Sequence, residues 1–200
     1  MLGEPARDRR AERHEATRAE ILRSAWELSR RGGLAGLTLR DIAGEVGMQA
    51  PSLYSYFESK NAIYDAMFAQ GAGEYLAWQK RHAMTGDALR DLTIQMRSFV
   101  RFCVENPVRY QLLFQRTIPG FEPSPESFAV AVKGLDAVRT RLGDMGITDP
   151  AALDLLTAIG TGLTDQQISN DPGGDRWIRL IDDAMEMFFH HVATNRGEQP

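Results

Sequence analysis

A single cysteine, Cys103, in 200 residues rules out an intramolecular disulfide and a cysteine-based zinc site. It is expected to be a packed thiol. No apolar run approaches the roughly 20 residues needed to cross a bilayer. The opening stretch MLGEPARDRRAERHEA is charged where a signal peptide requires an apolar segment. A cytoplasmic protein with no membrane partner is the expectation. Alternating apolar and polar runs long enough for a strand are also missing. Neither sign of charge dominates: the net charge is −4, with 10 basic and 9 acidic residues over 1–60 against 13 and 18 over 61–200. That balance permits nucleic-acid binding at the N-terminal end without proving it. No nucleophile elbow, phosphate loop, HExxH or paired-carboxylate pattern occurs, so neither enzymatic activity nor a cofactor is expected. His190 and His191 are adjacent but lack a carboxylate or cysteine cluster, which argues against a metal site.

What is present is helical period almost throughout, and the fold class expected is all-α. Thr17 and Glu20 have capping-box spacing, with Ile21, Leu22, Ala25, Trp26 and Leu28 on one face and Gly32-Gly33 as a stop. Thr38 and Asp41 repeat the box before Ile42, Ala43 and Val46, which end at Gly47. A further short helix must open near Ala50 or Pro51, since proline is tolerated only in a first turn. Ser59 can cap the next one. A long helix is expected over 88–105, broken by Asn106-Pro107, and a shorter one carries Tyr110, Leu113 and Phe114. The segment 118–127 holds three prolines and a glycine and reads as a loop. Asp149-Pro150 opens a helix to about Ser169, NDPGGD forms a loop, and a last helix stacks Trp177, Ile181, Met185, Phe188 and Val192.

In a 20-residue window from Leu39, Ile42 and Ala43 fall fourth and fifth, Val46-Gly47-Met48 eighth to tenth, and Leu53 fifteenth. This is the helix-turn-helix pattern. Its fifth position must be small where two helices cross, and its ninth must accept a positive φ. The segment Leu53-Tyr54-Ser55-Tyr56-Phe57-Glu58-Ser59-Lys60 then resembles the LYxHFxxK end of the DNA-binding domain of TetR-family regulators, with Tyr56 in place of the more usual His. The resemblance includes Leu37 to Ala43 and extends from about residue 15 to 68. It implies a flexible arm at 1–14, a three-helix DNA-binding domain at 15–60, a helical ligand-binding and dimerisation domain at 61–194, and a flexible tail at 195–200.

It also implies a homodimer, double-stranded operator DNA as partner, and a small-molecule effector, with release of a repressor from a palindrome as the mode of action. In a helix-turn-helix the second helix presents its N-terminal residues to base edges. Gln49, Ala50, Pro51 and Ser52 are therefore expected to meet bases, with Tyr54 and Ser55 close by and Arg40 reaching a guanine or a phosphate. Thr38, Tyr54, Tyr56 and Lys60 suit phosphate. Arg7, Arg9, Arg10 and Arg13, their charge diluted by Asp8 and Glu12, either meet DNA, by electrostatic attraction or in a minor groove, or make no contact with it. Packing roles for Tyr54 and Tyr56, and a solvated Arg40, are the competing assignments.

The remaining residues have sequence correlates of both family uses. Met96, Phe99, Phe102, Cys103, Tyr110, Phe114, Phe121 and Phe128 concentrate apolar surface that either lines a pocket or fills a core, and Thr161 offers it a polar contact. Leu156, Ile159, Gly160 and Leu163, with Trp177, Ile181, Met185 and Phe188, are the expected dimer surface. Two rival readings stand beside this one. They are a helical enzyme that happens to contain a helix-turn-helix, and a DNA-binding protein with no small ligand.

Overall fold

A computed structural model describes residues 9–81 and 84–195. Among them there are nine α-helices and no strand: α1 (Arg9–Gly32), α2 (Leu39–Glu45), α3 (Ala50–Leu53), α4 (Lys60–Gln79), α5 (Ala88–Glu105), α6 (Pro107–Phe114), α7 (Pro125–Asp144), α8 (Pro150–Asn170) and α9 (Ile181–Asn195). The all-α expectation holds. Most helix starts follow local chemistry, because the first amides of a helix need acceptors that the helix cannot supply. The side chains of Thr38, Ser59, Asp87, Asn106, Ser124 and Asp149 each accept one at the heads of α2, α4, α5, α6, α7 and α8.

Three expected boundaries move. The Thr17–Glu20 box does not open α1, because Thr17 lies inside it and donates its hydroxyl to the Arg13 carbonyl at 3.0 Å. The helix begins at Arg9, so the expected arm is helical from that residue on. Its Arg, Ala and Glu residues favour a helix and no glycine or proline interrupts them. Residues 1–8, with Arg7, and 196–200 lie outside the described residues. The proline-rich segment ends at Ser124, since Pro125 takes the first turn of α7 rather than breaking it. Trp177 precedes α9, and a short 3-10 turn at Ile178–Leu180 leads into that helix.

Helices α1 to α3 close on a core of Ile21, Ala25, Ile42, Leu53 and Phe57, all at most 3% exposed. The same core continues into α4 through Ile63, Tyr64, Met67 and Phe68, past residue 60. Burying each of the large aliphatic side chains contributes about 2 kcal/mol. The rest of α4 lies along α7. A second core joins Leu92, Met96 and Val100 of α5 to Leu153 and Leu156 of α8 and to Ile181, Met185 and Phe188 of α9.

Of the expected dimer-surface residues, Leu156, Gly160, Ile181, Met185 and Phe188 are buried within the protomer. Gly160 brings α8 against α5, since a Cβ there would lie 3.1 Å from Met96 Sδ and from Phe99 Cε1. Ile159, Leu163 and Trp177 remain partly exposed. Helical period identifies an apolar face without saying which of two such faces turns inward. The outward residues are Leu155, Leu180 and Met187, the last 72% exposed.

Candidate functional site

Gly47 sits between α2 and α3 with φ +69°, the left-handed backbone that a side chain at this position would strain. It turns the chain so that α3 starts at a solvent-facing edge. Gln49 precedes α3 and makes no capping bond with its side chain. Gln49, Pro51, Ser52 and Ser55 are exposed, Ala50 is half-buried, and Tyr54 is 59% exposed while its neighbour Leu53 is fully buried. The expected base-reading residues therefore lie together on one edge. Ser55 turns its hydroxyl back to the Ser52 carbonyl at 2.7 Å.

The expected phosphate-binding residues are more constrained. Thr38 caps α2 and also donates its hydroxyl to Asp41 at 2.6 Å, and Arg40 is exposed one residue into the same helix. Lys60 directs its ammonium at the Leu37 carbonyl at 3.2 Å, which ties α4 to the head of α2 and leaves ammonium donors for an anion. Tyr56 is half-buried, with its ring stacked on His14 at 4.7 Å between centroids. Two residues not foreseen as functional hold this edge in place. Arg18 donates to the Tyr56 carbonyl at 2.6 Å and lies over the Phe57 ring at 4.0 Å, and His14 contacts the Ser55 carbonyl at 3.3 Å. His14 lies ahead of the expected helix start at Thr17, whereas Arg18 lies inside the expected helix and meets Tyr56, 38 residues along the chain, and the adjacent Phe57 only through packing.

A partly enclosed cavity of about 150 Å³ lies among α4, α5, α7 and α8, with α6 contributing Leu113 and Phe114. Of the expected pocket residues it takes Met96, Phe99, Phe114 and Thr161. Phe102, Cys103 and Tyr110 are buried behind this wall and do not line it, and burial pushes the Cys103 thiol up, as fits an inert packed group. Phe121 and Phe128 line a separate groove beyond Phe114. The hydroxyl of Thr161 is committed to the Thr157 carbonyl at 2.9 Å. The lining also includes Tyr75, Gln79, Gln95, Ser98, Arg141 and Thr157, none of them expected there, because a tyrosine, an amide, a hydroxyl or a charge on a helix ordinarily reads as surface.

Burial is also the main reason the Tyr75 hydroxyl is raised in pKa, with Gln79 and Arg141 pulling it back. No group of three or more His, Cys, Asp or Glu residues suits a metal among the described residues. None of the described helices is long and apolar enough to cross a membrane.

Residues 21–67, the core and edge just described, match the family of bacterial regulatory proteins designated tetR. The chain is 30% identical to an HTH-type transcriptional regulator of Mycobacterium bovis over 68% of its own length and 64% of that relative's. It thus spans a little under two thirds of that protein. An HTH-type transcriptional repressor of Mycobacterium tuberculosis is 22% identical over the whole chain and 78% of its own length. A tetR-family transcriptional regulator from Streptomyces coelicolor has the same fold, with a TM-score of 0.70 at 17% identity over 92% of this chain and 84% of that one. The helix-turn-helix core at the N-terminus, the helical domain behind it and these relatives together make the chain a member of the tetR family of bacterial regulatory proteins.

Proposed function

We propose that this protein is a homodimeric, ligand-responsive DNA-binding transcription regulator, acting in the cytoplasm as a repressor that a small apolar or aromatic molecule releases from a palindromic operator. The observation that carries the reading is the solvent-facing edge at Gln49 to Ser55, whose leading side chain, Gln49, has no capping role to compete with a base. An amide in that position can pair bidentately with adenine, while Ala50 and Pro51 offer apolar contact to a thymine methyl. Thr38, Arg40, Tyr54, Tyr56 and Lys60 flank it with hydroxyl and cationic donors for phosphate.

With so little net positive charge near this edge, two copies acting together are needed for tight binding. Leu155, Leu180 and Met187, together with the partly exposed Ile159, Leu163 and Trp177, supply outward apolar surface on the last two helices and the turn between them for a two-fold partner. The cavity behind Phe99 and Phe114 supplies the effector site. To invert a 99:1 population the effector must favour one dimer conformation by about 10⁴-fold, or roughly 5.5 kcal/mol.

Selection of bound DNA from a random pool, with and without small aromatic compounds, tests this. The expected result is a palindrome that is lost when a compound binds. Recovery of no palindrome overturns the DNA reading, and a bound compound that leaves operator affinity unchanged overturns the release mechanism.

A further inference from the structure

The cavity is built mainly of apolar side chains, yet it carries one cation and one acceptor that nothing in the protein uses fully. Gln79 is only 7% exposed, and its Oε1 has no hydrogen-bond partner, while its Nε2 is spent on the Gly134 carbonyl at 3.4 Å. That contact holds the Gln79 amide at the cavity wall. A buried acceptor without a donor is costly unless something fills the gap. Arg141 is also at the wall. It donates through Nη2 to the Gln79 carbonyl at 3.1 Å, and no carboxylate lies within ion-pair distance of it among the described residues. No aspartate or glutamate lines the cavity, which leaves it formally positive.

Beside these groups the wall is aromatic. Phe99 and Phe114 meet edge to face at 5.4 Å between centroids, and Tyr75 meets both in the same manner at 5.9 and 5.7 Å. Such a corner presents ring faces and edges to a guest ring. Size sets the limit: an apolar cavity of roughly 150 Å³ admits a molecule as small as benzene, and this one is about 150 Å³.

We propose that the effector is a small monocyclic aromatic carboxylate, its ring against Tyr75, Phe99 and Phe114, its carboxylate on the Arg141 guanidinium and a donor such as a neighbouring hydroxyl on Gln79 Oε1. This assignment rests on the ligand-responsive reading above for its regulatory meaning. A planar guanidinium matches a carboxylate through two parallel N–H donors, which an ammonium or an amide donor cannot reproduce. Binding therefore exchanges water on Arg141 for a charge-assisted pair and gives Gln79 its missing donor.

The test is calorimetric titration of the full-length protein with benzoate, 2-hydroxybenzoate, benzamide, benzylamine and toluene. Benzoate is expected to bind at least about tenfold more tightly than benzamide or benzylamine, and 2-hydroxybenzoate more tightly still. Arg141→Met should erase the preference for benzoate while toluene affinity stays within about twofold, which shows that the cavity is intact. Gln79→Glu should weaken benzoate binding, because the new carboxylate pairs with Arg141 and cancels the charge of the cavity. Equal affinities for benzoate and benzamide, benzoate binding untouched by Arg141→Met, or failure of every ring compound to bind would each overturn the assignment. Operator affinity is measured in parallel to separate the two readings. Benzoate that binds through Arg141 without weakening operator binding defeats the ligand-responsive reading alone. Release by some other compound with no carboxylate preference defeats this inference alone.

Discussion

Asp65, in the second turn of α4, accepts the Ser124 amide on one carboxylate oxygen at 2.6 Å and the Ser124 hydroxyl on the other at 3.0 Å. Ser127 adds a third donor at 2.8 Å. The same carboxylate thus binds the head of α7, the helix that carries Arg141, to the helix that packs into the DNA-binding core. One residue away, Tyr64 donates to the Leu34 carbonyl at 2.5 Å and has its ring against Phe121 at 5.5 Å. These contacts join α7 to the N-terminal helices, and the proposed ligand response is expected to pass through them. Asp65→Ala leaves buried donors unmet and is expected to cost about 2 kcal/mol of stability. It should also reduce the effect of ligand on operator affinity about tenfold, a loss of coupling of roughly 1.4 kcal/mol. Operator titrations with and without ligand check this, and unchanged coupling would place the route elsewhere.

Gln49 and Lys60 should fail in different ways when replaced. Gln49→Ala removes a side chain free to meet a base, so preference should relax at one or two base pairs by roughly 1 to 3 kcal/mol. Lys60→Met should weaken every sequence alike and lower the salt slope by about one unit. Binding to a panel of operator variants at several salt concentrations separates them. Parallel losses from both variants would refute the division of roles.

The neighbours Met187 and Phe188 differ sharply in exposure, and that difference tests the proposed dimer. Met187 is 72% exposed and Phe188 is 2% exposed. Met187→Glu is expected to shift the protein towards monomer in sedimentation, with the far-ultraviolet dichroism unchanged, since a charge there meets only a partner. Phe188→Ala should instead destabilise each subunit by about 3 to 5 kcal/mol. A Met187→Glu protein that remains fully dimeric would move the interface off α9.

Asp91 gives the fold an acid limit. Burial would raise its carboxyl, but the amide and hydroxyl of Thr85 and the amide of Gly86, at 2.8, 2.7 and 3.1 Å, outweigh that and hold it below the usual carboxylate range. A group so depressed contributes stability that is fully present above its unfolded value near about pH 4 and is lost as pH falls through the lower folded value. Asp91→Asn is expected to cost about 2 kcal/mol at neutral pH and to flatten the acid limb. Denaturant midpoints measured down to about pH 3 for both proteins decide it, and equal slopes would count against the role.

The sequence by itself determined the all-α class, the helix-turn-helix window and most helix starts. These depend on neighbours in the chain: a Thr38 hydroxyl three residues before an amide, a glycine where φ must be positive, a proline in a first turn. It misplaced the head of α1 because a cap-like Thr17 and Glu20 can also sit inside a helix of strong formers. Only the tertiary structure decided which apolar faces turn inward, sending Ile181, Met185 and Phe188 to the core and Met187 outward. It alone separated Met96, Phe99 and Phe114 on the cavity wall from Phe102, Cys103 and Tyr110 behind it, and brought Gln79 beside Arg141 from 62 residues away. Helical period carries no record of partners so distant in the chain. Long-range packing creates the cavity and sets its charge, whereas the chemistry of caps and turns is complete within a few residues.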